Sequence, residues 1–224
     1  MSSTTLHYLD IGAMGRGEVI RVFLQDAGIE YKDVRYKFDA TWPASQAELK
    51  AKGISKTGRL PSLEYNGQIL SQHVPIMRYF SRKLNKYDGA TDEEKYEVDL
   101  VSDLYVDWRA GWAGALGASD EVKEAYAKKT SPQFWELVGT HYDRTTGPFL
   151  LGDDISYADF AVYQAYSDDS ITKTIPVSYF LHLHINRVYL LTDVPQETLP
   201  ASIIKFKEAF EARPTLAAYL KDRK

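Results

Sequence analysis

Thr4-Thr5-Leu6-His7-Tyr8-Leu9, then Gly12-Ala13-Met14-Gly15, then Val19, Ile20, Phe23, Leu24 and Ala27, is the stretch on which the fold turns. The first six residues are β-branched, aromatic and alternating, which reads as a strand. The glycines break it, and the apolar residues that follow recur at helical spacing. Gly28 stands where a left-handed residue would stop that helix, and Tyr31 to Tyr36 resumes a short strand pattern. A β-α-β opening implies a parallel pair of strands with a right-handed crossover. The chain therefore begins with a small α/β unit.

Downstream, Pro43 to Lys52 carries a modest helical signal and leads into a polar stretch, Lys52-Gly53-Ile54-Ser55-Lys56-Thr57-Gly58, that could shape a site. Arg59-Leu60-Pro61-Ser62-Leu63-Glu64-Tyr65 and Gln68-Ile69-Leu70 are joined by Asn66-Gly67, the strongest short signal for a two-residue hairpin. From Gln72 to Lys83, the residues Val74, Ile76, Met77, Tyr79 and Phe80 fit a helix lying on that sheet. Residues 85–92, NKYDGATD, are polar and poor in helix formers, and the pattern beyond them is helical. The expected organisation is an α/β domain over 1–84, a linker over 85–92 and an all-α domain over 93–224. Within the latter, Glu93 to about Ala113 is apolar over a wide face, so it needs more than one neighbour. Ser156-Tyr157-Ala158-Asp159 reads as a capping box flanked by Ile155 and Phe160: Ser156 accepts from the helix start and Asp159 reaches back. That box nucleates a core helix and does no chemistry.

With 27 Lys and Arg against 31 Asp and Glu in 224 residues, the net charge of −4 offers no basic excess for nucleic acid or an anionic membrane. The absence of cysteine excludes disulfides, a CxxC redox pair, a thiol nucleophile and cysteine-ligated metal. Any thiol chemistry must use a thiol brought in. Met1-Ser2-Ser3-Thr4-Thr5 lacks a secretory pattern, so a cytoplasmic address is expected. The most apolar run, Ile175 to Leu191, is interrupted by Pro176, His182, His184, Asn186 and Arg187, too polar to cross about 30 Å of hydrocarbon. His182 and His184 have no third ligand at useful spacing, so no metal site is expected.

Several motifs, in order, resemble the cytosolic glutathione S-transferases from Thr4 to about Tyr219. They are Leu6-His7-Tyr8, Gly15-Arg16-Gly17-Glu18, Arg59-Leu60-Pro61, Leu70-Ser71-Gln72-His73 with Ile76-Met77-Arg78-Tyr79, Leu100-Val101-Ser102-Asp103, the capping-box segment, and Ala212-Arg213-Pro214-Thr215-Leu216-Ala217-Ala218-Tyr219. The resemblance implies a thioredoxin-like α/β N-terminal domain and an all-α C-terminal domain. Leu6-His7-Tyr8 is most similar to the tyrosine-type classes, alpha, mu, pi and sigma. The cysteine-using class is closed to this chain, and the loop from Leu9 to Gly17 holds no serine for a serine-type enzyme.

The family's chemistry then implies roles. An ordinary thiol of pKa near about 8.5 is only about 3 % thiolate at pH 7, and lowering that pKa by about 2 is worth about 2.7 kcal/mol. Tyr8 is the residue implied to stabilise the thiolate of glutathione, beside a helix N-terminus that also favours negative charge. Leu60–Pro61 is expected in the cis form, its backbone pairing with the cysteinyl residue of glutathione like an added strand. Gln72 and His73, at the start of a helix, suit the γ-glutamyl carboxylate, His73 standing where the family usually carries Ser or Thr. The glycyl carboxylate falls to Trp42 and a lysine: Lys52 counting back from Pro61, with Lys50 and Lys56 as alternatives. Arg16 and Arg59 are implied contacts, and Asp103 is implied to reach glutathione bound in the other subunit of a homodimer. Met14, Tyr105, Trp108, Trp112 and Tyr219 are the aromatic and apolar candidates for a hydrophobic electrophile. The implied activity is conjugation, with glutathione as co-substrate and no other cofactor. The alternatives are a glutathione-dependent isomerase or peroxidase, and a non-enzymatic ligand-binding relative.

Overall fold

The computed structural model describes residues 4–174 and 199–223. The chain divides into two compact units, one running to Leu84 and regaining the residues from Pro214, the other Asn85–Arg213.

The first unit runs β1 (Thr4–Leu9), α1 (Gly15–Asp26), β2 (Lys32–Tyr36), α2 (Trp42–Ala51), β3 (Ser62–Tyr65), β4 (Gln68–Ser71) and α3 (His73–Leu84). This is the order the sequence predicts. The sheet is ordered β2-β1-β3-β4, with β1 parallel to β2 and antiparallel to β3. Tyr65 pairs with Gln68, so Asn66-Gly67 is the whole turn, and both residues have positive φ (49° and 76°) as a type I′ turn demands. α1 buries Val19, Ile20, Phe23 and Leu24, each worth about 2 kcal/mol removed from water. It stops where Gly28 takes φ +65°, the N–H groups of Gly28 and Ile29 returning to the carbonyls of Gln25 (3.2 Å) and Leu24 (2.9 Å). Alternation along β1 separates Tyr8 from His7: the two buried side chains lie on opposite faces of the sheet.

The second unit holds α4 (Asp92–Ala115), α5 (Asp120–Ala125), a π-helical turn (Tyr126–Thr130), α6 (Ser131–Tyr142), α7 (Tyr157–Thr174) and α8 (Ala201–Glu211). Thr91 caps α4 by accepting from the N–H of Glu94 (3.2 Å), while Glu94 accepts from Ala90 (2.6 Å) and Thr91 (3.2 Å). The expected box before α7 is half realised. Asp159 takes the N–H of Ser156 at 2.7 Å, but the Ser156 hydroxyl donates to that carboxylate (2.7 Å) instead of accepting from the helix. The reason is burial: Asp159 has no contact with solvent and gathers two further donors, Tyr142 Oη (2.8 Å) and the Leu150 N–H (3.1 Å). Ile155 and Phe160 are both buried, as a staple requires.

Leu216 and α9 (Ala217–Asp222) join the first unit, whereas the sequence pattern assigns them to the helical domain. What draws them back is polar: Tyr219 donates to Glu18 Oε1 at 2.9 Å, Arg223 Nη1 reaches the same oxygen at 3.4 Å, and the Thr215 hydroxyl bonds Asp26. Contacts spanning some two hundred residues leave no periodic trace. His182, His184 and the apolar run 175–191 lie outside the described residues. Among the described residues no helix is long and apolar enough to cross a membrane, and no group of three or more His, Asp or Glu is placed to hold a metal.

Candidate active site

Tyr8 ends on the strand's C-terminal side with only 4 % of its surface exposed. The turn that follows passes through Gly12 (φ 67°) and Gly15 (φ 74°), both in the left-handed region, and delivers the chain into α1 immediately beside the ring. Gly17 sits against that ring so closely that a β-carbon there would lie 2.1 Å from Tyr8 Cγ. Only glycine permits the approach. The backbone N–H of Arg16 consequently donates to Tyr8 Oη at 3.0 Å. A phenol oxygen that accepts from a helix N-terminus still carries an O–H proton of its own, and the positive end of the helix, about half an elementary charge, favours an anion beside it. The Arg21 guanidinium lies 5.7 Å from the centre of the same ring, adding positive potential.

Leu60–Pro61 is cis, as expected. The loop before it is tied down: Ser55 Oγ, buried, donates to the carbonyl of Arg59 (2.7 Å), Thr57 Oγ1 accepts from the N–H of Arg59 (3.2 Å), and Gln46 Nε2 on α2 donates to the carbonyl of Gly58 (3.3 Å). Arg59 itself is exposed. Gln72 is exposed and takes φ 70°, a conformation that costs a non-glycine residue of order 1 kcal/mol and that sharply turns the chain into α3. His73 opens that helix with only 2 % of its surface exposed.

Trp42 begins α2, half-buried, with Tyr36 and Phe38 edge-on to its indole at 6.5 and 6.3 Å between ring centres. Of the three lysines, Lys52 is exposed and its ammonium is 2.5 Å from Glu48. Lys50 lays its side chain over Gly58, Cε being 2.8 Å from where a β-carbon would stand. Lys56 is exposed within the loop. Tyr8, Arg16, Trp42, the lysines, Arg59, Leu60, Pro61, Gln72 and His73 all belong to one unit, on β1, the start of α1, α2, the loop that follows it and the entry to α3. Asp103, exposed on α4 one turn before the exposed Asp107, belongs to the second.

The electrophile candidates do not share a unit. Met14, buried, caps α1, and Tyr219 is in α9, its hydroxyl held by Glu18 and its pKa raised by burial and that carboxylate's charge. Tyr105, Trp108 and Trp112 are buried in the second unit, Trp108 lying 5.6 Å from Tyr105, 6.0 Å from Trp112 and 5.5 Å from Phe134.

Two family models match the chain: the glutathione S-transferase N-terminal domain over residues 4–82 and the C-terminal domain over residues 106–223. The chain belongs to the glutathione S-transferase family. It is 27 % identical to glutathione S-transferase P 10 of Caenorhabditis elegans over all of this chain and 93 % of that protein, and 30 % identical to probable glutathione S-transferase 5 of the same nematode over 84 % and 93 %. A solved nematode-specific glutathione S-transferase of C. elegans superposes over all of this chain and 98 % of its own, with 26 % identity and a TM-score of 0.73.

In this family member a charge cluster absent from the sequence reading, its Arg21 and Glu18 buried, lies beside the Tyr8 ring. Arg21 on α1 forks onto Asp33 of β2 (3.1 Å twice) and also reaches Glu18 at 3.2 Å. Burial opposes the Arg21 charge, but Asp33 and Glu18 outweigh it and hold the guanidinium's pKa up. Tyr31, nearby, is pushed up to about 12 by burial and then by the charge of Asp33. The available signal was the Glu18/Arg21 spacing of three on one helix, which marks a pair without marking its burial.

Proposed function

We propose that the chain binds glutathione in its first unit, stabilises the thiol as thiolate through Tyr8, and adds it to a hydrophobic electrophile. The observation that carries this reading is the Tyr8 hydroxyl held at 3.0 Å by the Arg16 N–H at the start of α1. In this reading the phenol's O–H donates to the bound sulfur while its oxygen accepts from that amide. A hydrogen bond to the anionic form lowers the thiol's pKa, and holding thiolate and electrophile together supplies the rest of the rate through proximity and electrostatics.

In this reading the backbone of Leu60 at cis Pro61 pairs with the cysteinyl residue, the amides opening α3 at Gln72 and His73 receive the γ-glutamyl carboxylate, and Trp42 with a lysine receives the glycyl carboxylate. Lys50 is the better lysine, because it lies on Gly58 at the foot of the Arg59-Leu60-Pro61 segment, whereas Lys52 is engaged with Glu48. The protein acts as a cytoplasmic homodimer in which Asp103 faces the other subunit's glutathione. Supporting that pairing, α3 carries Arg78 and Arg82 one turn apart and α4 carries Tyr96, Asp103 and Asp107 along one stripe.

The test is titration of the bound thiol by its thiolate absorbance between about pH 5 and 9, in wild type and Tyr8→Phe. A midpoint below that of free glutathione, raised by about 2 in the variant, is expected. Binding with the midpoint of the free thiol overturns activation and favours a ligand-binding role. Turnover of a chlorodinitrobenzene-type acceptor unaffected by Tyr8→Phe overturns the assignment of Tyr8.

A further inference from the structure

On the sheet face opposite Tyr8, His7 joins the two strands that flank β1. The residue is 4 % exposed, with Nδ1 2.8 Å from Tyr36 Oη on β2 and Nε2 2.6 Å from Glu64 Oε1 on β3. The chemistry of the partners assigns the protons. A carboxylate can only accept, so Nε2 carries hydrogen toward Glu64, and in the singly protonated ring Nδ1 accepts from the Tyr36 hydroxyl. Tyr36 suits that donor role: burial, and after it the charge of Glu48, hold its phenol above the ordinary range. The three side chains therefore form a directed chain across three adjacent strands, Tyr36 to His7 to Glu64.

Its free end meets α2. The ring of Tyr36, fixed at its hydroxyl, presents an edge to Trp42, the first residue of α2, at 6.5 Å and 61°, and Phe38 meets the same indole at 6.3 Å. The indole that opens α2 thus packs against a ring whose hydroxyl is held by a partly buried polar contact. Glu48 and Lys52 on the same helix act on the same phenol. We propose that His7, Tyr36 and Glu64 are positioning residues for the α2 wall of the site, and that through Trp42 they set its preference for a thiol peptide carrying the glycyl residue over one lacking it. The proposal rests on the glutathione reading above.

The experiment uses wild type, His7→Leu, His7→Gln and Tyr36→Phe, with amide exchange measured over residues 42–51 and binding measured for glutathione and for γ-glutamylcysteine, which lacks the glycyl end. His7→Leu and Tyr36→Phe are expected to exchange faster in α2, to bind glutathione about tenfold more weakly and to bind γ-glutamylcysteine within about twofold of wild type. Turnover at saturating glutathione is unchanged, since Tyr8 lies on the other face. His7→Gln, whose amide both donates and accepts, recovers part of the loss. Equal weakening toward both thiols, or none toward either, overturns the proposal. Wild type that binds neither thiol overturns the glutathione reading, whereas wild-type binding with α2 exchange unmoved in the variants overturns the relay alone. If His7→Leu does not fold, Tyr36→Phe, which removes one oxygen atom, carries the same comparison.

Discussion

Gly17→Ala places a methyl group where the Tyr8 ring already lies. The β-carbon would stand 2.1 Å from Tyr8 Cγ, 2.2 Å from Cδ1 and 2.7 Å from Cβ. Carbon atoms come to rest at about 3.5 Å, so strand and helix must part by about 3.5 − 2.1 = 1.4 Å. Rotating the tyrosine does not relieve this, because its own Cβ is among the colliding atoms and the ring is buried. The 3.0 Å bond from the Arg16 N–H to Tyr8 Oη is then carried beyond hydrogen-bond reach, about 3.2 Å. Overpacking costs about 1–3 kcal/mol, and exchanging glycine for alanine inside a helix returns about 1 kcal/mol, leaving a net loss of about 0–2 kcal/mol. Catalysis is expected to suffer more, since a misplacement near 1 Å costs about a hundredfold in rate. Urea unfolding measures the first quantity, and the thiolate midpoint with conjugation rate measures the second. A variant that keeps the wild-type midpoint and rate would refute the reasoning, because the hydroxyl would then not depend on the ring's seat against the helix.

Three other outcomes follow from the same kind of accounting. Gly114→Ala, with nothing within 4 Å of the new methyl, is expected to stabilise the protein by about 0.5 kcal/mol; a lower Tm would contradict this. Asp159→Asn keeps the shape but weakens a carboxylate that serves four donors, from Ser156 twice, Tyr142 and Leu150, so urea unfolding should show a loss of about 2–3 kcal/mol with the site chemistry unaltered once folded. The N–H groups of Ala90 and then Thr91 hold the Glu94 carboxyl below its ordinary value. A carboxyl depressed on folding stabilises the native state above its unfolded pKa, and the benefit fades as pH falls through the native value. Glu94→Gln should therefore cost under about 1 kcal/mol at pH 7, screened by solvent, and nothing in acid; a wild-type advantage that grew on acidification would refute the capping account.

The fold was legible because its signals are local. Asn66-Gly67 selects a turn by backbone conformation, the Val19 to Ala27 periodicity selects a buried helix face, and Gly28 stops that helix, each without reference to distant residues. The return of α9 to the first unit was not legible: it rests on Glu18 receiving Tyr219 and Arg223, polar contacts that follow no hydrophobic period. Ser156 shows the same limit at short range. The pattern named the right two residues, but the direction of the hydroxyl proton depends on how many donors the buried Asp159 already has.

The site divides along the same line. Motifs nominate Tyr8, Pro61 and Gln72 because the role proposed for each depends on its own chemistry or backbone, wherever the neighbouring side chains point. The lysine is a different problem. Lys50 and Lys52 differ by two positions, and at 100° per residue their side chains leave the helix about 200° apart. Counting from a motif cannot choose between them, because an insertion of one or two residues in the loop at 52–58 moves the count without moving the helix face. The face is fixed instead by Gln46, which anchors Gly58 to α2 and so brings the loop under Lys50, one turn on from Gln46, while Lys52 turns to Glu48. If that reasoning is right, Lys50→Met weakens glutathione about five- to tenfold and Lys52→Met changes it by less than about twofold in titration calorimetry. The reverse ranking would mean that the loop, and not the helix face, chooses the cation.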